Sequence, residues 1–174
     1  NETTEAWAAA IRRRNGPTLL ALTRQNVPTL DRERFSSASG LHRGAYILAD
    51  LGDVAPQIIL MASGSEVSLI VEAGEQLSAE GYGVRLVSFP SWELFEAQDS
   101  DYQKHVLPRS IEPRLAVEAG IKMGWERYTG QKGAVVSIET FGASAPAKKL
   151  FEEYGLTAAN VVAQAHQLLG FIEN

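Results

Sequence analysis

Short apolar runs alternate with longer amphipathic stretches along most of the chain. The run from Gln57 to Ala62 is almost wholly apolar, which is typical of a strand buried on both faces. It is followed by Ser65 to Ala79, where apolar residues recur at helical spacing. By the same reasoning, strands are predicted at 45–48, 84–88, 114–117 and 134–138, and helices at 91–98, 102–107, 145–154 and 157–169.

This alternation of strands and helices predicts an α/β fold. Apolar strands separated by helices form a mostly parallel sheet covered on both faces, so we expect a three-layer α/β/α domain with a five-stranded sheet. The strand at 45–48 joins the next strand through a short loop, which favours an antiparallel strand at one edge. The domain is predicted to occupy residues 45–174.

The first 44 residues follow a different pattern. A helix with an apolar face of Ala6, Trp7, Ala10 and Ile11 is predicted first, and a short buried strand over 18–23 after it. One helix and one strand cannot build a sheet of their own, so residues 1–26 are interpreted as the truncated remnant of a preceding domain. Residues 27–44 contain Pro and Gly with little periodicity, and they are interpreted as a linker.

Composition narrows the class of function. The 174 residues carry a net charge of -5, which argues against nucleic acid or an anionic membrane as the main partner. The sequence has no cysteine, so disulfides, thiolate metal sites and cysteine nucleophiles are excluded. No apolar run approaches the roughly 20 residues that span a bilayer. The start, without Met or a signal-like segment, resembles a cut inside a longer cytoplasmic chain.

Arg24 is the strongest candidate for a functional residue. It follows a predicted buried strand, where α/β folds place ligand-binding groups. Its guanidinium presents a planar fork of donors that suits a phosphate. The alternative is that Arg24 forms an ion pair that anchors the linker.

Other segments leave structural and functional interpretations open. The turn at 63–66 is either an anion site at a helix N-terminus or a serine cap by Ser63 or Ser65. Ser91 and Ser144 are each predicted to cap the helix that follows, with Pro146 in the first turn of the second of these helices. The aromatic residues Trp92, Phe95, Trp125 and Tyr128 belong either to the core or to an interface. The isolated residues His42, His105 and His166 form no metal set.

Five segments together carry a resemblance to a known family. They occur in the order Leu22–Pro28, Ser63–Val67, Phe89–Gln98, Glu118–Tyr128 and Phe141–Pro146. In this order and at these spacings they resemble the C-terminal part of transketolase, over nearly the whole chain. The resemblance implies that residues 1–26 end the pyrimidine-binding domain and that residues 45–174 form the C-terminal domain. It also implies that Arg24 binds the phosphate of the sugar substrate, although Thr23 stands where serine is common.

The resemblance carries further expectations about the whole enzyme. Transketolases are homodimeric transferases that use thiamine diphosphate and Mg²⁺ (or Ca²⁺). They move a two-carbon ketol unit between sugar phosphates in the pentose phosphate pathway and the Calvin cycle. The cofactor and metal residues of the family have no counterpart here, so none is expected to be bound by these residues. The chain is therefore expected to be inactive alone and to depend on the remaining transketolase domains.

A second class of function stays open at this point. The chain could be a stand-alone α/β module that binds an anion or a protein and catalyses nothing. The truncated helix and strand at its start favour the enzyme segment over this alternative.

Overall fold

A five-stranded sheet forms the centre of the chain in the computed structural model, which describes residues 1–170. Its strands are β1 (Tyr46–Leu51), β2 (Ile58–Ala62), β3 (Val84–Ser88), β4 (Arg114–Val117) and β5 (Ala134–Val136). They lie in the order β1-β3-β2-β4-β5. All pairs are parallel except β1 with β3. The predicted α/β class with an antiparallel edge strand is confirmed, and the partner of β1 is β3 rather than the strand that follows it in sequence.

Helices cover both faces of this sheet. The α-helices of the described residues are α1 (Glu2–Arg12), α2 (Val67–Ala79), α3 (Trp92–Glu96), α4 (Ser100–Val106), α5 (Glu126–Thr129), α6 (Ala147–Glu153) and α7 (Ala158–Gly170). The periodicity locates α2 and α7 well, because both are long and amphipathic. It misses α5, which has only four residues.

The alternating side chains of β2 separate two cores. Ile58, Leu60 and Ala62 belong to the cluster that includes buried residues of α2 and α7, whereas Ile59 and Met61 belong to the cluster that includes residues of α3, α4 and α5. Every residue of β2 is buried. The predicted three layers are therefore confirmed, since a central strand buried on both sides needs a helical layer on each face.

The strand predicted at 18–23 is wrong. These residues have no regular secondary structure, and Leu19 is 91% exposed. A strand is stabilised by hydrogen bonds to a neighbouring strand. Among residues 1–170, every strand belongs to the sheet of β1–β5, and none pairs with this segment.

The segment predicted as a linker contains ordered structure. A short 3₁₀ helix spans Ala38–Arg43, and the Ser37 hydroxyl accepts the Ser39 N–H at its start. Phe35 and Leu41 are buried, with Phe35 in the same cluster as α2 and α7. This part of the chain is thus fixed to the α/β domain before β1 begins.

Two of the predicted serine caps are wrong and one is confirmed. The Ser91 hydroxyl accepts the Leu94 N–H at 3.3 Å and caps α3. Neither Ser63 nor Ser65 caps α2, because a 3₁₀ turn precedes the helix and the Ser63 carbonyl accepts the Glu66 N–H. Ser144 does not cap α6, because Pro146 itself occupies the capping position before the helix.

Candidate functional site

The carboxyl edge of the sheet is where α/β folds place their ligand sites. After β2 the chain turns into α2 on one face, and after the neighbouring β4 it leads to α5 on the other face. Such a divergence of neighbouring loops opens a crevice, and open α/β sheets bind ligands there. Two carboxylates lie at this point, Glu66 after β2 and Glu118 after β4.

Glu66 turns its carboxylate inward. It is only 4% exposed, and its carboxylate accepts hydrogen bonds from the Ser65 hydroxyl and the Ala119 N–H. Burial raises the pKa of Glu66, and the nearby Glu118 raises it further. A buried carboxylate here counts against the anion site that the sequence left open at 63–66.

Glu118 is the partner of Glu66 across the crevice. The indole Nε1–H of Trp125 donates to its Oε2 at 3.3 Å, and the Gly120 N–H donates to it as well. Burial raises the pKa of this carboxyl too, against the lowering effect of those two donors. Glu66 joins the loops after β2 and β4 by accepting the Ala119 N–H. Both acidic residues lie in segments that carry the family resemblance, but sequence reasoning missed their meeting because it depends on the order of the strands.

Arg24 lies outside this crevice, on the exposed segment before the α/β domain. Its side chain is exposed and makes no hydrogen bond or ion pair with residues 1–170. The alternative of an ion pair that anchors the linker therefore finds no partner within the described part of the chain. The local hydrogen bond is made by Thr23, whose hydroxyl donates to the Gln25 carbonyl at 3.3 Å.

A cleft of about 370 Å³ with both polar and apolar lining residues lies beside the Arg24 segment. One wall is formed by residues 21–28 except Arg24, and the other by the start of α1 and the start of α2. Glu2, Thr23, Gln25 and Ser65 supply polar side chains to it. The segment that carries Arg24 thus faces the carboxyl edge of the sheet across an open space.

The conspicuous aromatic residues belong mostly to the core. Phe95, Trp125 and Tyr128 are buried and pack around Phe89, whose ring centroid lies 4.5 Å from that of Tyr128. Trp92 is half-buried against the same cluster. Of the two interpretations that the sequence left open, the core is the one that this packing supports, because buried rings offer no surface to a partner.

Two of the three histidines lie beside carboxylates. His42 pairs with Glu5 and His166 with Glu80. No three His, Asp or Glu side chains within residues 1–170 are grouped so as to hold a metal ion.

None of the helices in the described part of the chain is both long and apolar enough to cross a bilayer. Phe141 is fully exposed in the loop before α6.

Comparison with known proteins assigns this architecture. Residues 44–157 match the family described as "Transketolase-like TK C-terminal domain". The chain belongs to this transketolase family. Similar curated relatives are the transketolases of Geobacillus stearothermophilus, 47% identical over 170 residues, and of Nostoc sp., 49% identical over 172 residues. Each alignment covers 98% of this chain and 25% of the relative.

Solved transketolase structures share the fold over the whole described chain. Transketolase from Leishmania mexicana superposes with a TM-score of 0.89 and 42% identity, covering 99% of this chain and 24% of that one. The Pichia stipitis transketolase in complex with sedoheptulose 7-phosphate superposes with a TM-score of 0.88 and 35% identity, at the same coverage. The chain therefore spans about a quarter of the length of the transketolases it matches.

Proposed function

We propose that this chain is the C-terminal segment of a transketolase, in which Arg24 binds the phosphate group of the sugar substrate. The full-length enzyme would transfer a two-carbon ketol unit between sugar phosphates, with thiamine diphosphate as cofactor. The observation that carries the proposal for Arg24 is its exposed guanidinium, which has no partner within residues 1–170. The solved relatives of this chain include a transketolase in complex with sedoheptulose 7-phosphate, which supports a sugar phosphate as the substrate.

The chemistry of arginine fits this role. A guanidinium donates two parallel N–H bonds to phosphate oxygens and stays protonated at every physiological pH. Arg24 lies next to an open cleft rather than inside a packed layer, so a phosphate can reach it without displacing a partner from residues 1–170. The interaction binds the far end of the substrate and leaves the reacting carbonyl group to other residues.

The cofactor and the metal are assigned to other parts of the enzyme. The described residues contain no cluster of three or more His, Asp or Glu side chains suited to a divalent cation, so they do not fit Mg²⁺ or Ca²⁺. Thiamine diphosphate supplies the carbanion chemistry where it is bound. We assign to this chain substrate-phosphate binding and support of a cytoplasmic homodimer, with residues 1–26 ending the pyrimidine-binding domain, 27–44 linking, and 45–174 forming the C-terminal domain.

Replacement of Arg24 in the full-length enzyme tests the proposal. Arg24→Ala should raise KM for phosphorylated sugars and lower their kcat/KM about ten- to a hundredfold, because a charge-assisted hydrogen bond contributes roughly 1.5–3 kcal/mol. The kcat/KM for unphosphorylated acceptors should fall much less. Steady-state kinetics with both substrate types provide the measurement.

Arg109→Ala is the matched control, since Arg109 is also an exposed arginine and lies in the loop between α4 and β4. Its kinetic constants should stay at the wild-type values. Equal losses for phosphorylated and unphosphorylated sugars in Arg24→Ala would mean that Arg24 has a structural role instead.

A further inference from the structure

Carboxylates at the start of α1 bind this helix to the α/β domain. Glu2 Oε1 accepts hydrogen bonds from the Tyr46 hydroxyl at 2.7 Å and from the Ser88 hydroxyl at 2.5 Å. One turn further along, Glu5 Oε2 lies 2.8 Å from His42 Nε2. A helix that precedes the domain in sequence is thus attached to it at two successive turns.

The sheet brings the two hydroxyl groups together. Tyr46 at the start of β1 is the antiparallel partner of Ser88 at the end of β3, and directly opposed residues project from the same face. One carboxylate oxygen can therefore accept from both hydroxyls. Tyr46 and Ser88 are 42 residues apart in sequence, and the strand register brings them together.

Burial makes this contact costly to lose. Ser88 is fully buried and Tyr46 is 4% exposed, so neither hydroxyl has free access to water. Glu2 is the acceptor that the structure provides for both. A buried hydroxyl without an acceptor destabilises the fold, and this penalty favours the state in which α1 is docked.

The docked helix bears directly on the segment that carries Arg24. Glu2 and Thr3 line the same 370 Å³ cleft as Thr23 and Gln25, the two neighbours of Arg24 in sequence. Residues 14–30 make no backbone–backbone hydrogen bonds within the described chain. Within residues 1–170 the segment is held at its two ends, by α1 on one side and on the other by Leu30 and the buried Phe35, which pack in the core of the α/β domain.

We propose that Tyr46 and Ser88 are positioning residues for substrate binding, because through Glu2 they fix α1 and thereby the place of Arg24. Neither residue needs to contact the sugar phosphate. The inference rests on the proposed role of Arg24 and extends it by naming the residues of the α/β domain that set its position.

The test uses the full-length enzyme with its cofactor. Tyr46→Phe removes one hydroxyl and keeps the ring that packs in the core. KM for phosphorylated sugars should rise about three- to tenfold, as expected for one lost hydrogen bond, while kcat changes less than about twofold. KM for unphosphorylated acceptors should stay near the wild-type value.

Tyr128→Phe provides a matched control. The Tyr128 hydroxyl also donates to a carboxylate, Glu96 Oε1, at 2.8 Å, but it lies in the core on the opposite face of the sheet. The Tyr128→Phe substitution should leave KM unchanged. If both variants raise KM equally, the effect reflects general destabilisation, and the positioning role is refuted.

A double-mutant cycle with Arg24→Ala separates this inference from the proposed function. If Tyr46 acts through Arg24, Tyr46→Phe should have no further effect on KM once Arg24 is alanine. An undiminished effect in that background refutes the positioning role while leaving the role of Arg24 intact. If Arg24→Ala alone spares phosphorylated sugars, the proposed function fails first.

Ser88→Ala serves as the second variant. It removes the other donor to Glu2 and should reproduce the selective rise in KM, so a poorly folded Tyr46→Phe enzyme would not prevent the test. A Ser88→Ala enzyme that unfolds cooperatively above the assay temperature, and is therefore well folded in the assay, but has an unchanged KM would overturn the inference.

Discussion

At the scale of single residues, the buried carboxyl group of Glu66 makes the free energy of unfolding depend on pH. Burial raises its pKa, so the folded chain holds the proton more tightly than the unfolded chain does. The contribution of protonated Glu66 to the free energy of unfolding is therefore fully present below the ordinary carboxyl pKa, and it is lost as the pH rises through the raised pKa. At neutral pH the charged form costs free energy that an uncharged analogue would not.

Glu66→Gln is expected to keep or increase the free energy of unfolding at pH 7 and to flatten its decline above about pH 5. Glu66→Ala should lose about 1–3 kcal/mol, because the Ser65 hydroxyl and the Ala119 N–H lose their acceptor. Urea unfolding of the chain between pH 4.5 and 8 measures both.

The exposed Glu152 offers a control for this series, and Glu152→Gln should follow the wild-type pH profile. If Glu66→Gln proves as unstable as Glu66→Ala, the fold requires the ionised carboxylate, and the argument from burial is wrong.

At the scale of elements, the antiparallel edge strand β1 depends on a close approach between two loops. Gly44, two residues before β1, has φ +85°, and its carbonyl accepts the Ser91 N–H at 2.9 Å. A Cβ at this position would lie 2.1 Å from the Phe95 nitrogen and 2.4 Å from the Ser91 carbonyl oxygen. The entry into β1 and the start of α3 therefore pack backbone against backbone.

Gly44→Ala should lower the free energy of unfolding by about 2–4 kcal/mol, since a left-handed backbone and a clash with main-chain atoms add together. Gly81 is the matched control, because it has φ +99° with open space around its Cα. Gly81→Ala should lose only about 1–2 kcal/mol, from the backbone conformation alone. Equal losses in the two variants, measured by chemical denaturation, would contradict the close-approach argument.

At the scale of the whole molecule, charge is distributed unevenly. The first 44 residues contain seven of the 16 Lys and Arg residues but only four of the 21 acidic ones. This part is net positive although the chain as a whole carries -5. It includes Arg24, so the field on this side favours the approach of a sugar phosphate.

The 174-residue chain by itself should show no ketol transfer. The described residues lack a group that fits the divalent cation, and the chain spans about a quarter of the transketolases it matches. The measurement is a coupled assay of the purified chain with thiamine diphosphate, Mg²⁺ and a ketose and aldose phosphate pair. The full-length enzyme serves as the positive control, and measurable turnover by the chain alone would contradict the proposed division of labour.

The sequence by itself determined the elements whose signal is local. The apolar run of β2, the helical spacing of α2 and the serine cap of α3 depend on neighbouring residues, so their patterns predict them correctly. The family resemblance, carried by five short segments, also required no structure. The predicted strand at 18–23 failed because an apolar run becomes a strand only when another strand offers hydrogen bonds.

Only the tertiary structure decided which distant polar groups meet. The register of β1 on β3 brings Tyr46 and Ser88 to Glu2, and the divergence of the loops after β2 and β4 buries Glu66 beside Glu118. The Arg114 guanidinium donates to four carbonyl oxygens, of which three belong to the loop between α4 and β4 and one belongs to Tyr128 of α5. No periodicity in the sequence encodes such contacts, because they depend on strand order and crossover direction, which arise only when the whole sheet is assembled.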